Sequence, residues 1–360
     1  MATLATQPQA MLSSAADDAL ALYVHWPFCV SKCPYCDFNS HVRDAVDQGA
    51  WREALLADLA HEAALLPGRR LTSIFFGGGT PSLMEPATAA AIIAAAGVNR
   101  ISLGLQSLDD GALAFLGRAH SVREGLAALD TAQRHFRRVS FDLIYALPGQ
   151  ELGDWEAMLG QALGFGTGHL SLYQLTIEPG TRFATMAAKH EFEPLDSEPA
   201  AEMFELTQEQ TAAAGLPAYE ISNHARPGEE SRHNLAYWRY RNYAGVGPGA
   251  HGRRLGQRTV RHRKPENFLA AVARNGNGLV EEEPLSAIEA AREALVMGLR
   301  LAEGIDTEAL AKQIGVDRLV DEDAVARLEK LGLVQRREAR LATTQAGRLL
   351  LDSILAELAV

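Results

Sequence analysis

The chain has 360 residues, 47% of them hydrophobic and 22% charged, with a formal net charge of −11. This composition is that of a soluble globular protein with room for one large core and a smaller domain. Its acidity argues against a protein whose work is to neutralise nucleic-acid phosphates. No apolar run is long enough to span a membrane, so no membrane span is expected, and peripheral contact stays open. Residues 1–19 read as a flexible N-terminus, small and polar and without the basic start of a signal peptide. From there to about residue 180, short apolar runs at 22–26, 73–76, 100–105, 139–146 and 170–177 alternate with helical stretches such as 51–66 and 121–135. Ser121 and Glu124 form the capping box that opens the second of these helices. Near-continuous apolar runs predict strands covered on both faces, and strand–helix alternation predicts a parallel sheet or barrel, so the fold class is α/β. Residues 181–262 extend this unit with a helix near 198–214 and a Gly/Tyr/Arg-rich stretch, and 263–285 read as a linker with a polar helix. Residues 286–360 predict helices at 287–301, 307–314 and 323–330 and a strand pair near 333–341, a winged-helix-like α+β domain. It lacks a concentrated basic helix, so docking or a lid role is expected rather than DNA binding.

All three cysteines, Cys29, Cys33 and Cys36, lie within one eight-residue stretch directly after the first strand. An odd count with no other partner excludes a disulfide framework, and free thiols fit a reducing compartment, with the cytoplasm as the expected location. A structural zinc ion needs four ligands, and neither His25 nor His41 completes such a set at the usual spacing. Three thiolates on one loop instead fill three corners of an iron–sulfur cubane and leave the fourth iron open to a small molecule. The next strand ends in Gly77-Gly78-Gly79-Thr80-Pro81-Ser82, where backbone amides are left unshielded for a polar ligand. It is neither a dinucleotide fingerprint nor a phosphate loop. Strand C-termini are where ligands gather in such folds.

Tyr23-Val24-His25-Trp26-Pro27-Phe28-Cys29, the two further cysteines and Gly-Gly-Gly-Thr-Pro-Ser together resemble the radical S-adenosylmethionine superfamily. The nearest branch is that of the oxygen-independent coproporphyrinogen III oxidases, and within it the HemW-type haem chaperones. The oxidases carry a fourth cysteine two residues after the third; that position here is Phe38. Later motifs also match the HemW type: Tyr219-Glu220-Ile221-Ser222-Asn223, His233-Asn234-Leu235-Ala236-Tyr237-Trp238 and Gly245-Val246-Gly247-Pro248-Gly249-Ala250-His251. The resemblance implies a [4Fe–4S] cluster on Cys29, Cys33 and Cys36 that binds exchangeable S-adenosylmethionine, and a protein that binds haem and passes it to an acceptor protein. The alternative it implies is a radical oxidoreductase of porphyrin biosynthesis.

Carried over by motif, Tyr23 is expected beside the sulfonium ligand and Tyr35 against its adenine. Gly78, Gly79 and Thr80 are expected at the methionyl amine, and Gln106, Arg118 and Asp142 along the ribose and carboxylate side. His233 is the candidate haem ligand, with Tyr237 and Trp238 as a flat face for the porphyrin; His224 and His251 are weaker candidates. The family pattern has a further strand, carrying Glu-x-Asn-Pro, and a helix between the glycine motif and Ala96-Gly97-Val98-Asn99-Arg100. Only residues 83–95 stand there in this chain. The expectation is therefore a partial (βα) radical S-adenosylmethionine barrel short of one β/α unit. The strands flanking the gap must either pair directly or leave an edge open.

Overall fold

A computed structural model describes residues 19–93 and 100–358. The expected N-terminal segment and most of the motif at 96–100 lie outside the described residues. Ten strands build the main body: β1 (Ala19–Trp26), β2 (Arg70–Gly78), β3 (Arg100–Gln106), β4 (Arg138–Tyr145), β5 (His169–Gln174), β6 (Asn223–Ala225), β7 (Tyr243–Val246), β8 (His251–Arg254), β9 (Gln257–Arg261) and β10 (Leu279–Pro284). They form two sheets. One runs β10-β9-β8-β7-β1-β2, with β1 parallel to both β2 and β7. The other runs β3-β4-β5-β6, parallel except for its last strand.

The helices between strands begin where side chains can hold the first free amides. Asp47 caps Gln48–Leu65, and Ser121 with Glu124 makes the expected capping box on Val122–His135. Gln48–Leu65 packs its Trp51 into a core with Trp26, Phe28 and Phe268. The second sheet has its own core, built around Phe141, Leu143, Trp155 and Leu172. The sequence expectation for 263–285 needs correction. Pro265–Asn275 is amphipathic rather than polar, with Phe268 stacked on Trp51 at 5.9 Å, and Leu279–Pro284 completes the first sheet against β9. That segment is integral to the main body rather than a linker.

Between β2 and β3, the strands that flank the shortened stretch, no ladder forms among the described residues. The consequence is visible along both edges. No residue of β2 is fully buried and Phe75 is 41% exposed, while β3 buries only Leu105. Both strands were expected to be covered on each face. The missing unit would have supplied that cover, and without it the barrel is open along one seam.

The C-terminal module has a third core, around Leu299, Val325, Leu341 and Ile354, and a small sheet of Ile305–Asp306, Arg340–Thr343 and Val334–Arg337. It seats on two of the motifs named above. Ala302 N–H donates to the Tyr219 carbonyl, Arg300 lies 3.6 Å from the buried Glu220 carboxylate, and the same guanidinium covers the Trp238 ring at 4.7 Å.

Candidate functional site

The cysteine loop is held on several sides. Phe28–Cys29 pairs with His41–Val42 across the loop's base, and Phe183 N–H donates to the Pro34 carbonyl at 2.9 Å. Gly79 N–H reaches the Trp26 carbonyl and Thr80 N–H the Phe28 carbonyl, both at 2.7 Å, so the glycine turn is laced to the strand that carries Cys29. A Cβ on Gly79 would lie 2.5 Å from the Phe28 oxygen and 3.0 Å from Cys29 Sγ. A Cβ on Gly117, whose φ is +66°, would meet Pro34 Cδ at 2.6 Å. Close backbone approach thus explains both glycines.

Each sulfur has a polar side chain beside it. The Thr80 hydroxyl points to Cys29 Sγ at 3.4 Å, Arg118 Nη1 to Cys33 Sγ at 3.5 Å, and the Ser40 hydroxyl stands 4.0 Å from Cys36 Sγ. Burial pushes the Cys36 thiol up, and the neighbouring Cys33 and Cys29 thiols add to the rise. Among the described residues, no three His, Cys, Asp or Glu side chains converge on a single-ion position. Three thiols on a glycine-lined loop, each with its own donor, do fit a polynuclear cluster that takes one thiolate per iron.

Arg118 connects this loop to the second sheet. Its Nη2 donates to the Gly104 carbonyl at 3.3 Å, beside Gln106, which adopts a left-handed φ of +69°. Burial works against the guanidinium charge, but Tyr35 and Cys33 hold its proton more firmly. Asp142 accepts from the Ser102 hydroxyl at 3.0 Å, and burial raises its carboxyl to about 6 despite that bond and the charge of Arg118. Tyr35 packs on Phe183 at 6.3 Å beside Arg118, and burial raises its phenol.

On the other side, Tyr23 donates from its hydroxyl to His25 Nδ1 at 3.0 Å, while His25 Nε2 donates to the Asn39 carbonyl at 2.8 Å. The carbonyl can only accept, so Nε2 carries the proton. The His25 ring fills the space beneath Gly78, where a Cβ would come within 2.6 Å. Tyr23 also stacks on Phe75, which stacks on His233 at 5.0 Å. These contacts link the cysteine loop and glycine turn through Arg118 to β3 and through Tyr23 and Phe75 to His233, while Asp142 stands mid-strand on β4 against Ser102.

The sequence reading missed His25 and Asn39. Asn39 Nδ2 donates to the carbonyls of Pro248 (2.9 Å) and Arg263 (2.8 Å), tying the cysteine loop to the motif at Gly245–His251. This explains the glycines of that motif. A Cβ on Gly247 would strike the His25 carbonyl at 2.3 Å, and one on Gly249 would strike Asn39 Nδ2 at 2.4 Å. The signal was present, since Asn39 follows the third cysteine closely and the later motif is glycine-rich, but nothing in the sequence pairs the two.

His233 lies in the first turn of the helix Arg232–Trp238 and is 7% exposed. Ser73 Oγ occupies its Nδ1 at 3.3 Å, which leaves Nε2 as the ring nitrogen available to a ligand. Burial lowers its pKa to about 3, so it is neutral near pH 7. The flat face expected of Tyr237 and Trp238 is not offered. Tyr237 stands edge-on behind His233 at 4.8 Å, and Trp238 lies under Arg300. The exposed ring beside His233 is Phe75. His224 is fully buried and takes the Thr211 hydroxyl at its Nδ1, away from any opening; His251 is exposed on β8.

The radical SAM superfamily model matches this chain in two overlapping stretches, residues 23–94 and 84–162, and the HemN C-terminal domain model matches residues 285–350. Heme chaperone HemW of Escherichia coli (strain K12) is 34% identical, the alignment covering 93% of this chain and 97% of that protein. The chain belongs to the HemW family of radical S-adenosylmethionine proteins. Heme chaperone HemW of Bacillus subtilis (strain 168) is 30% identical, over 91% of this chain and 96% of that protein. Radical S-adenosyl methionine domain-containing protein 1, mitochondrial, of Bos taurus is 38% identical over 94% of this chain and 87% of its own length. The solved structure of coproporphyrinogen III oxidase (HemN) from Escherichia coli superposes with a TM-score of 0.75 at 21% identity, covering 94% of this chain and 89% of that one, which speaks for the fold. The E. coli and bovine alignments run over 378 and 383 residues, longer than this chain, so it is this HemW-family member that carries the gaps. The two superfamily matches overlap at residues 84–94, within the shortened stretch between β2 and β3.

Buried neutral histidines set the acid sensitivity of this member. Burial holds His169, His224 and His233 each near 3. Between that value and the ordinary 6.5, the unfolded chain binds protons that the folded chain refuses, so stability is full above pH 6.5 and is lost as pH falls. Asp142, raised to about 6, acts oppositely, favouring the folded state as pH falls through 6. From these four groups alone, the expected net uptake on unfolding at pH 5 is about two protons. Urea midpoints measured between pH 7.5 and 5 should fall steadily, and less steeply in His224→Gln; a flat profile contradicts the buried neutral assignment.

Proposed function

We propose that this chain binds haem and hands it to an acceptor protein, and that its cysteine loop carries a [4Fe–4S] cluster with exchangeable S-adenosylmethionine. The observation that carries this reading is near full-length similarity to proteins named heme chaperone HemW, together with His233 lying beside an exposed ring in the same region as the cysteine loop. Cys29, Cys33 and Cys36 would hold the cluster, which supplies, when bound, a redox-active iron with one open coordination position. The Thr80 hydroxyl and Arg118 guanidinium would donate to the cysteine sulfurs, lowering their charge and raising the potential. Backbone at Gly78, Gly79 and Thr80 leaves room for the methionyl amine, while Arg118 offers its charge to a carboxylate and Asp142 accepts from hydroxyls. Tyr23 and Tyr35 would cover the ligand's apolar parts.

His233, neutral and with Nε2 unoccupied by protein, would ligate haem iron. We place the protein in the cytoplasm, where free thiols persist; no described helix is long and apolar enough to cross a membrane. The rival reading, oxidative decarboxylation of coproporphyrinogen III, has the exposed Phe38 against it at the position of the oxidases' fourth cysteine.

Titration with haem, followed by Soret absorbance, should reveal one-to-one binding, and His233→Ala should weaken it about tenfold or more. Coproporphyrinogen turnover with release of 5′-deoxyadenosine would instead establish the oxidase. A reduced-cluster EPR signal that shifts on adding S-adenosylmethionine is expected; an unshifted signal from an intact cluster removes that ligand from the proposal.

A further inference from the structure

The seam left between β2 and β3 is the mouth of a cavity of about 400 Å3, lined by Leu71–Phe75 on one side and by β3, β4 and β5 on the other. A volume in this range suits a small-molecule site. Its lining is unlike the rest of the molecule. The chain carries a net charge of −11, yet the cavity gathers Arg100, Arg138 and Arg232 against the single carboxyl of Asp142. Glu229 is the nearest compensation, and one carboxylate serves two guanidiniums: Arg138 Nε at 2.6 Å and Arg100 Nη2 at 3.5 Å. Arg100 Nε is buried with no hydrogen-bond partner, and Arg232 stands exposed at the rim. A buried donor with no acceptor costs free energy that an anionic ligand would recover.

Each side of the cavity also offers an aromatic ring. Phe75 and Tyr173 are each 41% exposed, and Phe75 lies nearly parallel to the imidazole of His233, at 16°. A site with guanidiniums at one end and flat rings beside an imidazole with one free nitrogen at the other fits an amphipathic planar ligand with carboxylate tails. The open seam gives such a ligand lateral entry, which a barrel closed at this point would deny.

We propose that this cavity is the haem seat, with the two propionate carboxylates received by Arg100, Arg138 and Arg232 and the macrocycle laid along Phe75 toward His233. The proposal rests on the haem-binding reading above and adds where and by what chemistry the carboxylates are recognised. Asp142, assigned above to the hydroxyl side of S-adenosylmethionine, also lines this cavity, so the two proposed sites would share that residue.

The test compares haem with haem dimethyl ester, in matched detergent, on the full-length protein by Soret titration. The expected result is that the ester binds about tenfold or more weakly, as charge-assisted bonds to the carboxylates are lost. Arg232→Gln, at an exposed rim position, should weaken haem about five- to tenfold and leave the ester unchanged. Arg138→Gln should do the same; because Arg138 also holds Glu229, its circular dichroism and melting temperature are to be matched to wild type first. Equal binding of acid and ester, with Arg232→Gln unaltered, overturns the carboxylate seat while haem binding stands. Failure of the wild type to bind either ligand overturns the haem reading itself, and the seat with it.

Discussion

Gly79→Ala should nearly abolish cluster assembly in a protein that otherwise folds. The added methyl would sit 2.5 Å from the Phe28 carbonyl oxygen and 3.0 Å from Cys29 Sγ. Main chain cannot swing aside as a side chain can, and this main chain is fixed at two points, Gly79 N–H to the Trp26 carbonyl and Thr80 N–H to the Phe28 carbonyl. Relief requires moving Cys29 or breaking those bonds, at an overpacking cost of about 1–3 kcal/mol. Gly77→Ala is the informative contrast. Its nearest obstacles are the ring edges of Tyr23 and Phe75, at 2.9 Å, and Phe75 borders the open seam, where a ring can turn. Iron and sulfide content after anaerobic reconstitution should therefore fall to background in Gly79→Ala and stay near wild type in Gly77→Ala. Full iron content in Gly79→Ala would mean that the glycine turn and cysteine loop are not rigidly joined.

Strand positions and the C-terminal helices were legible because their signals are local. Apolar runs marked β1 to β5 to within a few residues, and the Ser121–Glu124 box marked a helix start. The cysteine and glycine motifs were legible because their residues are near neighbours in sequence. Less legible were features made by residues far apart. Pro265–Asn275 looked polar because its buried stripe is short, and only the fold reveals that Phe268 meets Trp51, more than two hundred residues earlier. The link from Asn39 to Pro248 likewise leaves no periodic trace. The gap in the barrel was visible as a length, but its effect was not. Sequence alone offered either direct pairing of the flanking strands or an open edge, and the structure takes the second.

Asp58→Ala should be the most destabilising single change in the main body, costing about 3–5 kcal/mol. Asp58 and Glu62 lie one turn apart on Gln48–Leu65, facing Arg254 of β8 and Arg261 of β9, and all four side chains are no more than 2% exposed. Asp58 Oδ2 accepts from Arg261 Nε at 2.6 Å and from Gly247 N–H at 3.1 Å, and Oδ1 accepts from Gly278 N–H at 3.0 Å. Glu62 accepts from both arginines; burial alone would raise its carboxyl, but the bonds from Arg254 and Arg261 hold it below the usual range. Two carboxylates against two guanidiniums leave no net charge in the interior. Removing Asp58 leaves a buried guanidinium half unpaired and two backbone amides without acceptors, and it frees Gly247, which packs against the His25 carbonyl beside the cysteine loop. An apolar replacement of both partners, Asp58→Leu with Arg261→Met, should recover much of the loss, because no unpaired charge then remains. Urea unfolding should place the single variant lowest, the double variant between it and wild type, and should find faster iron loss in the single variant. A single-variant cost below about 1 kcal/mol would mean that water reaches the lattice and that the ion pairs are surface-like in energy.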